Sequence, residues 1–221
     1  MNHQIPKVLQ FLSRKLSFLA IPNLGFAVCA LAAIAFVAKT VGNTPYERFL
    51  FDPAAVMAGE WWRFFPVPIW AGLDNPIFLL FFVLFIYFVI QALESAWGTA
   101  LLTLFVLLSY LACVGASLIT QQPISIWFYI AENLALAFGT TFPDYELYLY
   151  FVLKVKAKWL ALLSAVIILF QFLTGDYSSR LFLVLVLAPY LLFFGPHLAG
   201  LIRTRMRKGI HQKKWDSDMW R

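Results

Sequence analysis

Apolar runs of close to twenty residues recur along this chain, each closed by a short polar or proline-bearing break. A run of about 20 apolar residues reaches across a bilayer. Inside lipid the backbone must satisfy its own hydrogen bonds, which leaves helices or closed barrels. The runs do not alternate polar with apolar as barrel strands do, so helices are expected. Six runs are read as spans, at 18–41, 77–93, 99–120, 127–142, 160–173 and 181–202. Of 221 residues only 13% are charged, half the proportion usual in soluble domains, so no separate soluble domain is expected. The expected fold class is an all-α integral membrane protein, a six-transmembrane-helix bundle over 18–205. An amphipathic segment (1–17) precedes it and a basic tail (206–221) comes after it.

The net charge of +6 does not point to nucleic acid, because the basic residues stand at the ends of apolar runs rather than on one basic face. Their placement sets the orientation instead. Lys7, Arg14 and Lys15 precede span 1, Lys154, Lys156 and Lys158 lie between spans 4 and 5, and seven more follow span 6 from Arg203 onward. The opposite side keeps only Lys39, Arg48, Arg63 and Arg180. Thirteen against four puts both termini in the cytoplasm. The first run is too long for the apolar region of a secretory signal, so it is read as an uncleaved span. A bacterial-type cytoplasmic membrane is the expected location. Cys29 and Cys113 each stand alone in an apolar run, so neither a disulfide framework nor a metal site is expected, and no cofactor. No internal repeat of the transporter kind is visible.

The stretch 127–143, WFYIAENLALAFGTTFP, is the unusual one. It is shorter than its neighbours and places Glu132 and Asn133 side by side within an apolar helix. An ionisable group in a span is a functional candidate. Glu132 has three readings: binding a polar residue of another helix, pairing with Arg63 if the outer loop folds inward, or sitting in water favoured by the helix N-terminus.

The loop at 42–75 is half aromatic. Trp61, Trp62, Phe64, Phe65 and Trp70 suit the membrane–water boundary, with Trp62 and Arg63 read as loop anchors. Span 2 is expected to stop at Glu94, with 95–98 as a tight turn that Glu94 fixes by accepting hydrogen bonds. The small residues Gly115, Ala116 and Ser117 are read as a close helix approach. Pro189 and Pro196 are potential kinks in span 6.

Four stretches carry a likeness. Gly59-Glu60-Trp61-Trp62-Arg63 resembles the tryptophan–arginine motif of the rhomboid superfamily, in the loop after span 1. Glu94 with Gly98 is similar to the pair that closes that family's second helix. Residues 142–163 look like the link that derlins and rhomboid-like proteins place after the fourth helix, and His197-Leu198-Ala199-Gly200 is similar to the family's His-x-x-Gly. The resemblance covers 18–205 and implies a rhomboid-type bundle. It implies a serine protease only where Gly-x-Ser-Gly opens the fourth helix, with the sixth-helix histidine taking the serine proton.

Here that window reads Ala131, Glu132, Asn133, Leu134, and Gly-x-Ser-Gly is absent from the chain. Phe78 and Phe82 stand about where active members supply histidine and asparagine toward the oxyanion. The resemblance, stripped of its nucleophile, implies a rhomboid-like, derlin-like pseudoprotease that binds transmembrane segments of client proteins. The alternatives are a protease using another nucleophile, Ser117 first, or a small transporter using Glu132. The expected candidate sites are Trp61, Trp62 and Arg63 at the interface, Glu132, Asn133 and His197 as intramembrane polar groups, and Glu94 with Gly98 as a structural turn. The bilayer and client helices are the expected partners; the oligomeric state stays open.

Overall fold

The computed structural model describes Phe11, Lys15 and residues 20–68, 75–149 and 153–218; for 147–149, 153, 155, 197–199 and 201–218 the description covers backbone alone. The amphipathic reading of 1–17 lies outside these residues except at Phe11 and Lys15, and Trp70 lies outside them too.

Among the described residues there are six long helices: α1 Leu24–Val41, α2 Pro76–Trp97, α3 Thr99–Thr120, α4 Ile126–Thr141, α5 Ala157–Thr174 and α6 Tyr177–Asp218. The loop after α1 holds 3-10 turns at Tyr46–Phe49 and Trp61–Phe64 and one turn of α-helix at Pro53–Met57. Between α4 and α5 stands a two-stranded antiparallel hairpin, β1 Glu146–Leu149 with β2 Leu153–Lys156, in the register Glu146↔Lys156. The segment expected as an irregular boundary connection is therefore a strand pair, and the all-α expectation needs that exception. Its alternation of Tyr, Leu, Val and Lys is a strand period.

Local chemistry explains the helix ends. Asn75 accepts from the Ile77 N–H at 2.9 Å with Pro76 at the first helical position, so α2 starts there. It does not stop at Glu94. Nothing in Ser95-Ala96-Trp97 opposes a helix, and only Gly98, at φ 84°, takes the backbone that ends it. Span 1 begins six residues later than expected, after the left-handed Asn23. α6 runs unbroken through Pro189 and Pro196 and on to Asp218, so no structural break separates span from tail at 205. Its 42 residues measure about 63 Å, twice a hydrocarbon core.

Among the described residues five segments are long and apolar enough to cross a membrane: α1, α2, α3, α5 and the Tyr177–Pro196 part of α6. The chain is built as a multi-pass membrane protein. α4, with 16 residues, is about 24 Å long and is the exception.

Contacts fix the relative directions. Cys29 approaches the Val83 carbonyl and Gly25 approaches Tyr87 and Ile90, so α1 and α2 are antiparallel. Ser178 meets the Thr120 carbonyl while Phe193 meets Phe105, so α3 and α6 are antiparallel as well. Tyr129 packs on Phe182, Asn133 on Val186 and Thr140 on Tyr190, which makes α4 and α6 parallel. All three relations agree with helices that cross one layer in alternation. They also define two ends: a loop end with residues 42–68 and 121–125, and a hairpin end with Gly98 and β1–β2.

The buried core lies among α3, α4 and α6, and α4 packs on α2, α3, α5 and α6. Trp97, Phe105, Phe193 and Phe194 form an aromatic cluster toward the hairpin end. Of the small-residue patch on α3, Ala116 and Ser117 are fully buried, while at Gly115 an added Cβ would meet nothing within 4 Å. A close helix approach stands at Gly139, where a Cβ would run into Ala161 and reach the Ala157 carbonyl at 2.7 Å.

Candidate functional site

The loop end is held by one arginine and three hydrogen-bonded tethers. Arg63 Nε donates to Glu60 Oε2 at 2.5 Å, and Nη1 points at the carbonyls of Glu47, Arg48 and Leu50 at 3.0, 3.2 and 2.8 Å. A guanidinium thereby closes the C-terminal end of the Tyr46–Phe49 turn, where helix geometry leaves carbonyls short of backbone donors and only Glu47 of the three also accepts from Leu50 N–H. Trp62 lies against the same guanidinium, 4.9 Å from its ring centroid. The inward pairing of Arg63 with Glu132 does not form. Tyr110 donates to the Phe64 carbonyl at 2.6 Å, Trp127 Nε1 to the Pro66 carbonyl at 2.8 Å, and Phe51 and Ile124 exchange backbone hydrogen bonds at 2.9 Å. These fasten the loop to α3 and α4. Trp61, Trp62 and Phe65 remain 69%, 52% and 58% exposed, the disposition of rings that meet lipid rather than a core.

At the hairpin end Glu94 Oε1 accepts from the Thr99 hydroxyl at 2.8 Å across Gly98, while Oε2 is buried without a partner. The carboxylate thus ties the end of α2 to the start of α3 through a side chain, not through the backbone N–H groups expected.

Glu132 and Asn133 are adjacent in sequence but about 100° apart around α4. Asn133 is fully buried and donates from Nδ2 to the Val186 carbonyl at 3.0 Å; its Oδ1 has no partner. Pro189 leaves the Leu185 carbonyl without a helix N–H, and Asn133 bonds to the next carbonyl along, that of Val186. One turn further on, the Thr140 and Tyr190 hydroxyls meet at 2.8 Å. Asn133 is therefore a cross-helix strut between α4 and α6.

Glu132 is half-buried, and among the described residues no hydrogen bond or ion pair engages it. It stands seven residues from Gly139, hence on the side of α4 that α5 packs against, and one turn from the 41% exposed Phe128.

The hydrolytic alternative meets a distance. The Ser117 hydroxyl is buried and donates to the Gln122 carbonyl at 2.5 Å, one turn from the loop end of α3. His197 comes three residues after Phe194, which packs on Trp97 toward the other end. Its side chain lies outside the described residues, but its backbone is about 24 Å along α6 from the level of Ser117. No imidazole spans that gap. Gly200 has open space at its Cβ position. Phe82 packs toward the core while Phe78 is 53% exposed, so the two do not fill one interior site. Among the described residues no three His, Cys, Asp or Glu side chains gather as a metal would require.

Sequence reasoning missed Gly139, Thr140 and Tyr190 as contacts. The available signal was their chemistry, since small and hydroxyl-bearing residues within an apolar span mark helix–helix contacts. Comparison with protein-family models, curated proteins and solved structures gives no match.

Proposed function

We propose that the chain is a rhomboid-like, derlin-like membrane protein without protease activity, with six spans and both termini in the cytoplasm, which binds transmembrane segments of other proteins. The observation that carries this reading is the environment of α4. It is short and packed by four helices, yet where a nucleophile motif would stand it holds a structural asparagine and an unengaged carboxyl group. Supporting it are the loop built around Arg63, the Glu94–Gly98 closure of α2 and the separation of Ser117 from His197. A helix of about 24 Å beside longer ones favours local thinning of the bilayer, which lowers the barrier for polar parts of a client helix to approach.

Two measurements test it. A serine-directed fluorophosphonate probe is expected to leave the purified protein unlabelled; labelling that disappears in Ser117→Ala overturns the pseudoprotease reading. Photo-crosslinking from the exposed face of α5 in native membranes is expected to capture membrane-spanning chains, and capture of none removes client binding.

A further inference from the structure

The β1–β2 hairpin belongs neither to the surroundings of α4 nor to the loop built on Arg63. Its register pairs Glu146 with Lys156, Leu147 with Val155, Tyr148 with Lys154 and Leu149 with Leu153. Opposite residues of an antiparallel pair share a face, and successive residues alternate between faces. One face therefore carries Glu146, Tyr148, Lys154 and Lys156, and the other carries Leu147, Leu149, Leu153 and Val155. The first is polar, with Glu146 and Lys154 exposed; the second is wholly apolar in sequence. A lone pair of strands is marginal in water, so such an apolar face calls for a cover. Among the described residues the bundle supplies no broad one, since α5, into which β2 leads, is the one helix that packs appreciably on a strand.

Three observations put the bilayer there. The first is depth. β2 ends at Lys156 and α5 begins at Ala157, with no spacer between them. The Ala157 N–H donates to the Tyr145 carbonyl at 2.8 Å and the Lys158 N–H to the Pro143 carbonyl at 3.1 Å, so the base of the hairpin is clamped where α4 ends and α5 starts. α5 measures about 27 Å and α4 about 24 Å, both short of a hydrocarbon core of about 30 Å. Helices that short hold their ends at the edge of the hydrocarbon, and the hairpin with them. The second is the residues beside it. Tyr145 precedes β1 and Lys158 and Trp159 follow β2, all three exposed, and such residues mark a membrane–water boundary. The third is the strand edges. A sheet of two strands leaves each with one edge that no strand pairs, and those N–H and C=O groups need headgroups or water, which bars the hairpin from going deeper.

We infer that the hairpin is a membrane-surface element, lying in the plane of the leaflet at its own end of the bundle, with its Leu147–Leu149–Leu153–Val155 face against the acyl chains and its Glu146–Tyr148–Lys154–Lys156 face toward headgroups and water. Its partner is lipid, and it needs no client helix.

The test uses the full chain in phosphatidylcholine vesicles. Cysteine replaces each of the eight strand positions in turn, in a background carrying Cys29→Ala and Cys113→Ala. A nitroxide on each reports collisions with oxygen, which concentrates in lipid, and with a water-soluble nickel chelate. The oxygen-to-nickel ratio is expected to oscillate with the period of a strand, several-fold higher at 147, 149, 153 and 155 than at the positions between. High nickel access on both faces would place the hairpin in water and overturn the inference. Low access to both reagents along the apolar face would show a protein cover, from the bundle or a second copy, and overturn it as well. The unsubstituted protein gives an independent measurement. A phospholipid with a diazirine near the top of its acyl chain is expected, on photolysis, to label the hairpin within 147–155, as mapped by mass spectrometry. Label on the exposed face of α5 with none on the hairpin overturns the inference.

Discussion

α4 and α5 are consecutive helices of similar length and similarly apolar sequence, and their surroundings are opposite. Eleven of sixteen residues in α4 are buried, against two of eighteen in α5. In water such a contrast would show as a difference in hydrophobicity. In lipid it does not, because tails are as apolar as leucine, and the helix at the centre is marked by its small and polar residues. α4 carries Asn133, Gly139, Thr140 and Thr141. α5 presents Leu, Val, Ile and Phe to the outside and keeps Ala157 and Ala161 for its narrow seam with α4.

The hardest blow to this contrast is at the seam. Gly139→Leu forces a side chain into the Ala157 carbonyl and Ala161, with helix backbone on both sides and no flexible atom to yield. A loss of about 3 kcal/mol or more is expected, at or beyond the upper end for overpacked cores. Thermal unfolding in one detergent should show it as a drop of many degrees. An unchanged midpoint would mean that α5 is not seated where described.

Next in size is the strut. Asn133→Ala removes the donor to Val186 and opens a void, for an expected loss of about 2 kcal/mol. An unchanged midpoint in thermal unfolding would show that the strut does not hold the two helices together.

The seam and the strut show how far the sequence could be read. The spans were legible because length and apolarity decide membrane crossing, and α3 was placed to the residue by Gly98 and Gln121. The ends that failed lacked such a marker: Ser95-Ala96-Trp97 neither favours nor opposes a helix, so only the glycine decides. Asn133 was legible as unusual but not as a strut, since its partner is a backbone carbonyl 53 residues away. The hairpin was obscured by treating its tyrosines and lysines as boundary residues, although their alternation was present. Glu132 was legible as an intramembrane carboxyl group, while its separation from Arg63 emerges only once Arg63 is seen bound to its own loop.

The loop repeats the contrast on a smaller scale, with Arg63 engaged and Trp61 exposed two residues away. Arg63→Gln should cost about 1–2 kcal/mol through the carbonyls it abandons, and speed proteolysis within 42–68. Trp61→Ser should leave unfolding nearly unchanged; a large loss would show that its ring is packed, not seated at the boundary.

The smallest effect belongs to the bare helix. Leu169 is 56% exposed on α5, so Leu169→Ala removes no packed contact within the bundle and should shift stability by less than about 0.5 kcal/mol. The same substitution should weaken capture of a transmembrane peptide on the exposed face of α5. If unfolding changes while capture does not, α5 is covered by its own chain and the comparison with α4 fails. If capture changes alone, the face that folding leaves unused is the one that a partner uses.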